Sequence, residues 1–568
     1  MRAAGATLAI AMAGAAWLAP PVAAQELEEA ERLDQPPVGY ELTPSDAVKI
    51  ARSTPEARGE RREHPDLEPA AYTDGPGRWQ VSFTADGDEL AQVQIDDRSG
   101  LVLEAWTGAQ VAWRMARGYE GAFGGKLHAP YVWLPLCALF LLPFVDPRRP
   151  FRVLHLDLLV LLAFGVSHLF FNRGEIFWSV PLVYPVLLYL LARMLWVGFR
   201  PRERRERLVP FVPAVALALG LLFLVGFRVA LNVADTNVID VGYAGVIGAD
   251  RVADGEGLYD GDFHGENEHG DTYGPVNYLA YLPFEQLLPW SGDWDDLPAA
   301  HGAAIAFDLL TIVGLFLLGR RLRAGPEGRL LGLSLAFAWA SYPYTLFVLA
   351  SNANDSLVAM LVVYALLAVT SAPGRGALLG LAAAAKFAPL ALAPLFARGA
   401  DGASADGRRG WGARVRGAVL FTVAFGAVVA ASVALFVPDD GLRELYDRTV
   451  GYQVGRDSPF SVWGQVGSLD WLHTAGKVGV VALALAVAVV PRRRGPVQVA
   501  ALAAAVVIAL QLAATHWFYL YVVWFAPLAL VAMFASYRGD AGGATPVGGA
   551  PLARAGEEPT EARVAVPA

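Results

Sequence analysis

Where the apolar run "FVPAVALALGLLFLVGFRVALNV" gives out, the chain turns acidic, and the first two carboxylates are Asp235 and Asp240 in "VADTNVIDVGY". A carboxylate within hydrogen-bond reach of a hydroxyl can take its proton as a general base. The same residue in a solvated loop, or at a helix N-terminus, is only a surface charge or a cap. Lys386 interrupts the apolar "LLGLAAAAKFAPLAL". An ionisable side chain inside such a run is a functional candidate by default, the alternative being one that snorkels to the membrane surface. His516 heads the aromatic "HWFYLYVVWFAP", Arg456 stands beside Asp457 in "RDSPFSVWG", and Asn354 and Asp355 close the turn "SNAND". His264, Glu266, Glu268, His269 and Asp271 have the residue types of a divalent-cation site. Glycines interleave them at no standard spacing, so the expectation is a solvated insert, with no metal and no cofactor.

These residues need a scaffold, and the apolar pattern supplies one. Of the 568 residues 55% are hydrophobic and 17% charged. About eleven apolar runs after residue 128 have the length needed to cross a bilayer core: 129–145, 153–172, 177–198, 208–230, 299–319, 329–349, 355–372, 415–437, 475–490, 497–514 and 517–535. The fold class is a polytopic α-helical membrane protein. Short arginine-rich segments stay cytoplasmic. "DPRRPFR", "FRPRERRER", "GRRLRAGPEGR", the stretch 398–416 and "PRRRGP" then all lie inside. By alternation, residues 26–128, the turn near Asn172, 231–298, 351–355, 438–474 and the turn at His516 lie outside. The loop 231–298 holds fourteen Asp and Glu against one basic residue, Arg251. Full crossing by the further run 376–396 would put 398–416 on the wrong side. Lys386, Pro389 and Pro394 instead predict a broken, re-entrant segment, with the alternative that a neighbouring run does not span. The aromatic "YGPVNYLAYLPFEQLLPW" (273–290) suits a helix in the membrane interface plane.

Ahead of the apolar runs, Arg2, an apolar core and Val22-Ala23-Ala24 form a signal peptide over 1–24, with an uncleaved anchor as the alternative. Residues 25–120 are polar enough for a small extracytoplasmic α+β domain. "TPSDAVKIARSTPEA" predicts a helix capped near Ser45 or Asp46, and "RWQVSFTA", "LAQVQIDD" and "LVLEAWTG" alternate like half-buried strands. With Ala47, Ile50, Ala51, Trp79, Val81, Asp96, Asp97 and Gly100 in these places, the domain resembles PepSY-like domains. It shows no catalytic constellation, so an accessory role is expected. Residues 129–200 read as accessory helices, 208–535 as the functional module, and the Ala/Gly/Pro-rich 536–568 as a disordered cytoplasmic tail. The lone Cys137 excludes an internal disulfide. Ala, Gly and Arg usage suggests a high-GC bacterium and hence its plasma membrane.

From about 208 to 535 the order of features resembles the GT-C glycosyltransferases, closest to glycosyltransferase family 87 with its mannosyltransferase-like proteins. The resemblance rests on the Asp235/Asp240 pair, "DGEGLY" ending at Tyr259, "YGPVNYLAYLPF", "LLGLAAAAKFAPLAL", "RDSPFSVWG" and "HWFYLYVVWFAP". About 200 additional N-terminal residues and the acidic insert 260–271 depart from the family pattern. The resemblance implies inverting transfer of a sugar from a polyprenyl-phosphate donor to an extracytoplasmic acceptor hydroxyl on a glycolipid or polysaccharide. Mannose is the family-weighted sugar, with arabinofuranose or glucose as alternatives. Asp240 fits the family's base and Asp235 is the second candidate. His516, Arg456, Lys386 and Arg228 are the candidate phosphate partners, and Tyr243, Tyr259, Tyr273, Asn354 and Asp355 candidate sugar or acceptor contacts. The sequence carries no P-loop, no nucleotide fingerprint and no large cytoplasmic domain, which speaks for a lipid-linked donor and against nucleic-acid partners. A transporter of lipid-linked saccharide is the competing reading, and it would be expected to show internal repeats and intramembrane charge pairs.

Overall fold

The structure, a computed structural model, describes residues 27–538 apart from 31, 75, 120, 122–123, 261–262, 264–266, 268, 293–295, 402–410 and 456–457. The signal-peptide segment, Arg456, and His264, Glu266 and Glu268 of the acidic insert lie outside the described residues.

The N-terminal domain pairs two helices, α1 (Pro44–Ala51) and α2 (Pro55–Glu63), with an antiparallel sheet. Its strands β1 (Glu28–Glu29), β2 (Glu68–Thr73), β3 (Arg78–Ala85), β4 (Asp88–Asp96) and β5 (Val102–Thr107) lie in sequence order. The three expected strands are β3, β4 and β5; β2 was not foreseen because "EPAAYT" alternates too little. The cap of α1 is Thr43, whose hydroxyl accepts from the Asp46 N–H, and not Ser45 or Asp46. Pro44 sets this register, since proline fits the first helical turn and leaves the cap to the residue before it. Ala47, Ala51, Trp79, Val81, Phe83, Val93 and Ile95 form the core. Asp97 closes it: its carboxylate accepts from Trp79 Nε1 at 2.8 Å and from the amides of Glu41 and Leu42 at 2.7 and 2.9 Å.

The rest of the chain is helical. In order come α3 (Pro130–Phe144), α4 (Val153–Phe171), α5 (Ile176–Phe199), α6 (Ala214–Ala234), α7 (Asp240–Asp254) and α8 (Pro275–Glu285). Then follow α9 (Pro298–Leu322), α10 (Gly325–Ser341), α11 (Pro343–Ala350), α12 (Asp355–Leu367), α13 (Ala372–Ala385) and α14 (Ala388–Arg398). The last are α15 (Trp411–Ala434), α16 (Gly467–Val489), α17 (Pro496–Leu512) and α18 (Tyr519–Phe534). All eleven apolar runs are helical, but among the described residues six helices are long and apolar enough to cross a membrane, or seven if α10 and α11, bent by 58°, form one span. The apolar helices α3, α12, α14, α17 and α18 are shorter. Most side chains of α12, α17 and α18 are buried in protein, so their lengths answer to the neighbouring helices and not to lipid thickness. Helix α8 is buried as well, with Asn277, Tyr278 and Tyr281 wholly enclosed by protein.

The arginine-rich segments meet at one end of the bundle. Arg152 donates to the Arg207 carbonyl, Arg323 to that of Ala535, Arg321 to Thr370 Oγ1, and Arg398 to the Arg492 carbonyl. A two-stranded parallel pair, β6 (Arg204–Arg207) with β7 (Tyr537–Arg538), belongs to the same end. Of the tail expected to be disordered, residues 536–538 are ordered, with Tyr537 buried under Arg152, and the rest lies outside the described residues.

The run 376–396 is a hairpin. Ser371 caps α13, and Gly376 and Gly380 let the helix lie against Phe421 and Phe425 of α15. At Lys386 the backbone turns extended (φ −137°, ψ 139°), and Pro389 removes a helical donor three residues on. The returning α14 ends beside the start of α13, where Arg375 donates to the carbonyls of Phe396 at 2.5 Å and Ala397 at 3.0 Å. The chain thus leaves the arginine-rich end, presents Lys386 at its tip, and comes back.

Candidate active site

At the end opposite the arginines, the loops expected on one side come together. Ile239 donates to the Ser351 carbonyl, Asn232 to Asn352 Oδ1, and Asn354 to Asn277 Oδ1. They enclose a cavity of about 720 Å³. Asp240, Tyr273, Asp355, Lys386 and His516 all line it. These five lie far apart in sequence, and each arrives on a different element.

Asp240 is the first residue of α7, after Ile239 as cap. The N-terminus of a helix favours a negative charge. Its backbone carbonyl accepts from Asn267 Nδ2 at 3.1 Å. Lys386, at the hairpin tip, places Nζ 2.7 Å from Asp355 Oδ1. Trp524 Nε1 donates to the same oxygen at 2.8 Å. The ammonium also faces three rings, with centroids at 5.4 Å (Trp524), 5.5 Å (Tyr273) and 5.9 Å (Tyr521), within cation–π range. His516 Nδ1 shares a 2.8 Å hydrogen bond with Ser458 Oγ and lies near the rings of Phe460 and Tyr521. The hairpin tip is held from the side by the 271–274 loop: the Gly274 amide donates to the Ala385 carbonyl, and a Cβ on Gly274 would fall 2.0 Å from the Ala384 carbonyl oxygen.

Other expected residues do not reach the cavity. Arg228 is buried in the bundle on Asp308, with Nη2 at 2.6 Å and Nε at 3.0 Å from its two oxygens. Asp235 Oδ2 accepts the Lys126 amide at 2.6 Å. Tyr259 is buried and donates to the Tyr273 carbonyl at 2.8 Å, so it supports a cavity residue from behind. Tyr243 packs between α7 and the neighbouring aromatic cluster. Asn354 is buried on Asn277. Of the acidic insert, His269 stacks on Tyr452, and Asp271 pairs with Arg448 at 2.9 Å. Burial raises the Asp271 carboxyl above the usual carboxylate range despite this arginine. Among the described residues, one trio has its ligand atoms close enough for a metal, Glu60, Glu63 and His64 on the surface of the sheet domain.

Lys477, Gln511 and His128 are among the lining residues that escaped the sequence reading. Lys477 in α16 is an ionisable residue inside an apolar run, the same signal that marked Lys386. Gln511 near the end of α17 donates to the Tyr521 carbonyl and accepts from Trp517 Nε1. His128 precedes the first apolar run and carries no local signal.

Residues 272–515 match the family model of glycosyltransferase family 87. The match indicates a glycosyltransferase, and with the apolar helices it supports a multi-pass membrane enzyme of GT-C-like type. No curated protein matches the chain. The matched stretch contains Tyr273, Asp355, Lys386 and Lys477, while Asp240 precedes it and His516 follows it by one residue.

Proposed function

We propose that the protein transfers a sugar, mannose by preference, from a polyprenyl-phosphate donor to an acceptor hydroxyl with inversion, in a cavity that opens on the extracytoplasmic side of a bacterial plasma membrane. The observation that carries this is the meeting of Asp240 with Lys386, Lys477 and His516 around a single cavity, whose other carboxylate, Asp355, is engaged by Lys386. Asp240 takes the proton of the acceptor hydroxyl. The hydroxyl oxygen bonds to the anomeric carbon from the face opposite the phosphate, the carbon–oxygen bond to phosphate breaks, and the lipid phosphate leaves with its electron pair. A monophosphate leaving group gains charge in this step, and fixed cations and hydrogen-bond donors stabilise it. Lys386, Lys477 and His516 have that chemistry. Lys477 is exposed on α16, beside Val480 and Val481, where a polar head and an apolar chain meet the protein together. Tyr273 and Asp355 supply the ring face and the acceptor oxygen that suit a pyranose. The acceptor is a glycolipid or polysaccharide, and the PepSY-like domain is accessory to transfer.

The test is Asp240→Asn in membranes supplied with labelled polyprenyl-phosphate mannose. A fall in transfer of about 10²–10⁴-fold, the usual worth of a general base, is the expected result. Unchanged transfer by a folded variant removes Asp240 as the base. Failure of the wild type to transfer from any polyprenyl-phosphate sugar, with movement of the lipid-linked sugar across the bilayer, makes the protein a transporter.

A further inference from the structure

We infer that the connector between the sheet domain and α3 forms the acceptor-side wall of the cavity, with Asp235 as a positioning residue that clasps it and His128 as an acceptor contact. The inference rests on the glycosyl-transfer reading.

Asp235 leaves α6 a short way before Asp240, and its carboxylate is spent on the connector. Oδ2 accepts the Lys126 amide at 2.6 Å, and Lys126 Nζ stands 4.0 Å from Oδ1. The fit is close: Gly125 has φ +62°, and a Cβ there would lie 2.4 Å from the Asp235 carbonyl oxygen. The connector is thus docked on the loop that delivers Asp240. Two of its residues, Met115 and His128, line the cavity that Asp240 lines. His128 packs edge-on against Phe347 at 5.1 Å, one turn before Ser351, and the Ser351 carbonyl holds the Ile239 amide next to Asp240. A base has to lie against the hydroxyl it deprotonates, so the wall beside Asp240 is the wall the acceptor meets.

The other end of the connector is fixed to the sheet domain by Arg117, whose Nη2 donates to Gln92 of β4 at 2.5 Å, while Gln110 ties it to the bundle by donating to the Asn172 carbonyl at the end of α4 at 3.2 Å. The added N-terminal residues therefore reach the reaction centre through one continuous set of contacts. They make acceptor binding, and not donor binding, depend on the sheet domain.

The experiment uses the full-length protein in nanodiscs, labelled polyprenyl-phosphate mannose as donor and octyl α-mannoside as acceptor probe. Asp235→Ala and His128→Phe are expected to raise the acceptor KM by about tenfold, the worth of one good hydrogen bond, with the donor KM unchanged. Asp235→Asn keeps an oxygen that accepts the Lys126 amide and is expected to stay near the wild type. Hydrogen exchange at residues 124–128 reads the clasp without turnover: it is expected to quicken in Asp235→Ala and not in Asp235→Asn. Loss of kcat in Asp235→Asn as deep as in Asp240→Asn would make Asp235 a base and overturn the clasp. Unaltered exchange and acceptor KM in Asp235→Ala and His128→Phe would overturn the wall. Failure of the transfer reading shows itself separately, as no turnover by the wild type.

Discussion

Two of the buried ion pairs in the helical bundle, Arg228–Asp308 and Lys386–Asp355, are built differently. Arg228 uses Nε, Nη1 and Nη2 on both Asp308 oxygens, the Ala340 carbonyl and Thr345 Oγ1, while Trp339 Nε1 donates to Asp308 Oδ1 as well. Nearly all of the guanidinium's donors are taken. Lys386 has three N–H donors, meets one carboxylate oxygen, and turns the rest of its charge toward aromatic faces and a cavity. The sequence offered both as candidate cationic partners for a leaving phosphate. What separates them is spare capacity: a saturated pair holds helices together, and an unsaturated pair beside open volume can hold a ligand.

Substitutions can break this contrast or sharpen it. The largest stability loss is expected for Arg228→Met, which leaves Asp308 charged and buried. It should cost about 3–5 kcal/mol in thermal unfolding, and transfer per folded molecule should hold. If Arg228→Met instead stays folded and loses transfer, the pair is not structural. The double variant Lys386→Met with Asp355→Asn removes both charges, so the bundle is expected to fold while transfer falls about 10²–10³-fold. Transfer at the wild-type rate would place Lys386 with Arg228 among the structural pairs. Gly274→Ala puts a methyl against the Ala384 carbonyl and forces the hairpin tip to move. A loss of about 1–3 kcal/mol in thermal stability is expected. Asp271→Asn should have the smallest effect. Burial raises this carboxyl, so its folded form prefers the proton, and its contribution to stability is full at acid pH and fades as pH rises through the raised value. The asparagine resembles the protonated state and should be as stable as the wild type or more so at pH 7, by up to about 1 kcal/mol. A large loss at pH 7 would show that Arg448 outweighs burial.

Much of the fold was legible because lipid and water impose simple rules. Apolar runs had to be helices, arginines had to gather, and Lys386 with Pro389 had to break a helix, since these depend on composition within a short window. The helices α12, α17 and α18 were read as full spans because the apolar pattern cannot distinguish lipid from protein as surroundings. The burial of α8 was not legible for a related reason: its aromatics suit a membrane interface and a protein interior equally. At the site, Asp240, Tyr273, Asp355, Lys386 and His516 were found as residue types, and they line one cavity. The division of labour between Asp235 and Asp240 was not legible, because it depends on Lys126, more than a hundred residues earlier. Arg228 was misjudged likewise, since nothing near it in sequence announces Asp308.

The hairpin clamp at Arg375 makes the position of Lys386 a matter of leverage. Lys386 follows Arg375 by eleven residues along α13, so the tip stands about 16 Å from the clamp. A tilt of only ~3° at the base moves the ammonium by ~1 Å, a displacement that can cost about a hundredfold in rate. An arginine at the base of the hairpin thereby sets the aim of a lysine it never approaches.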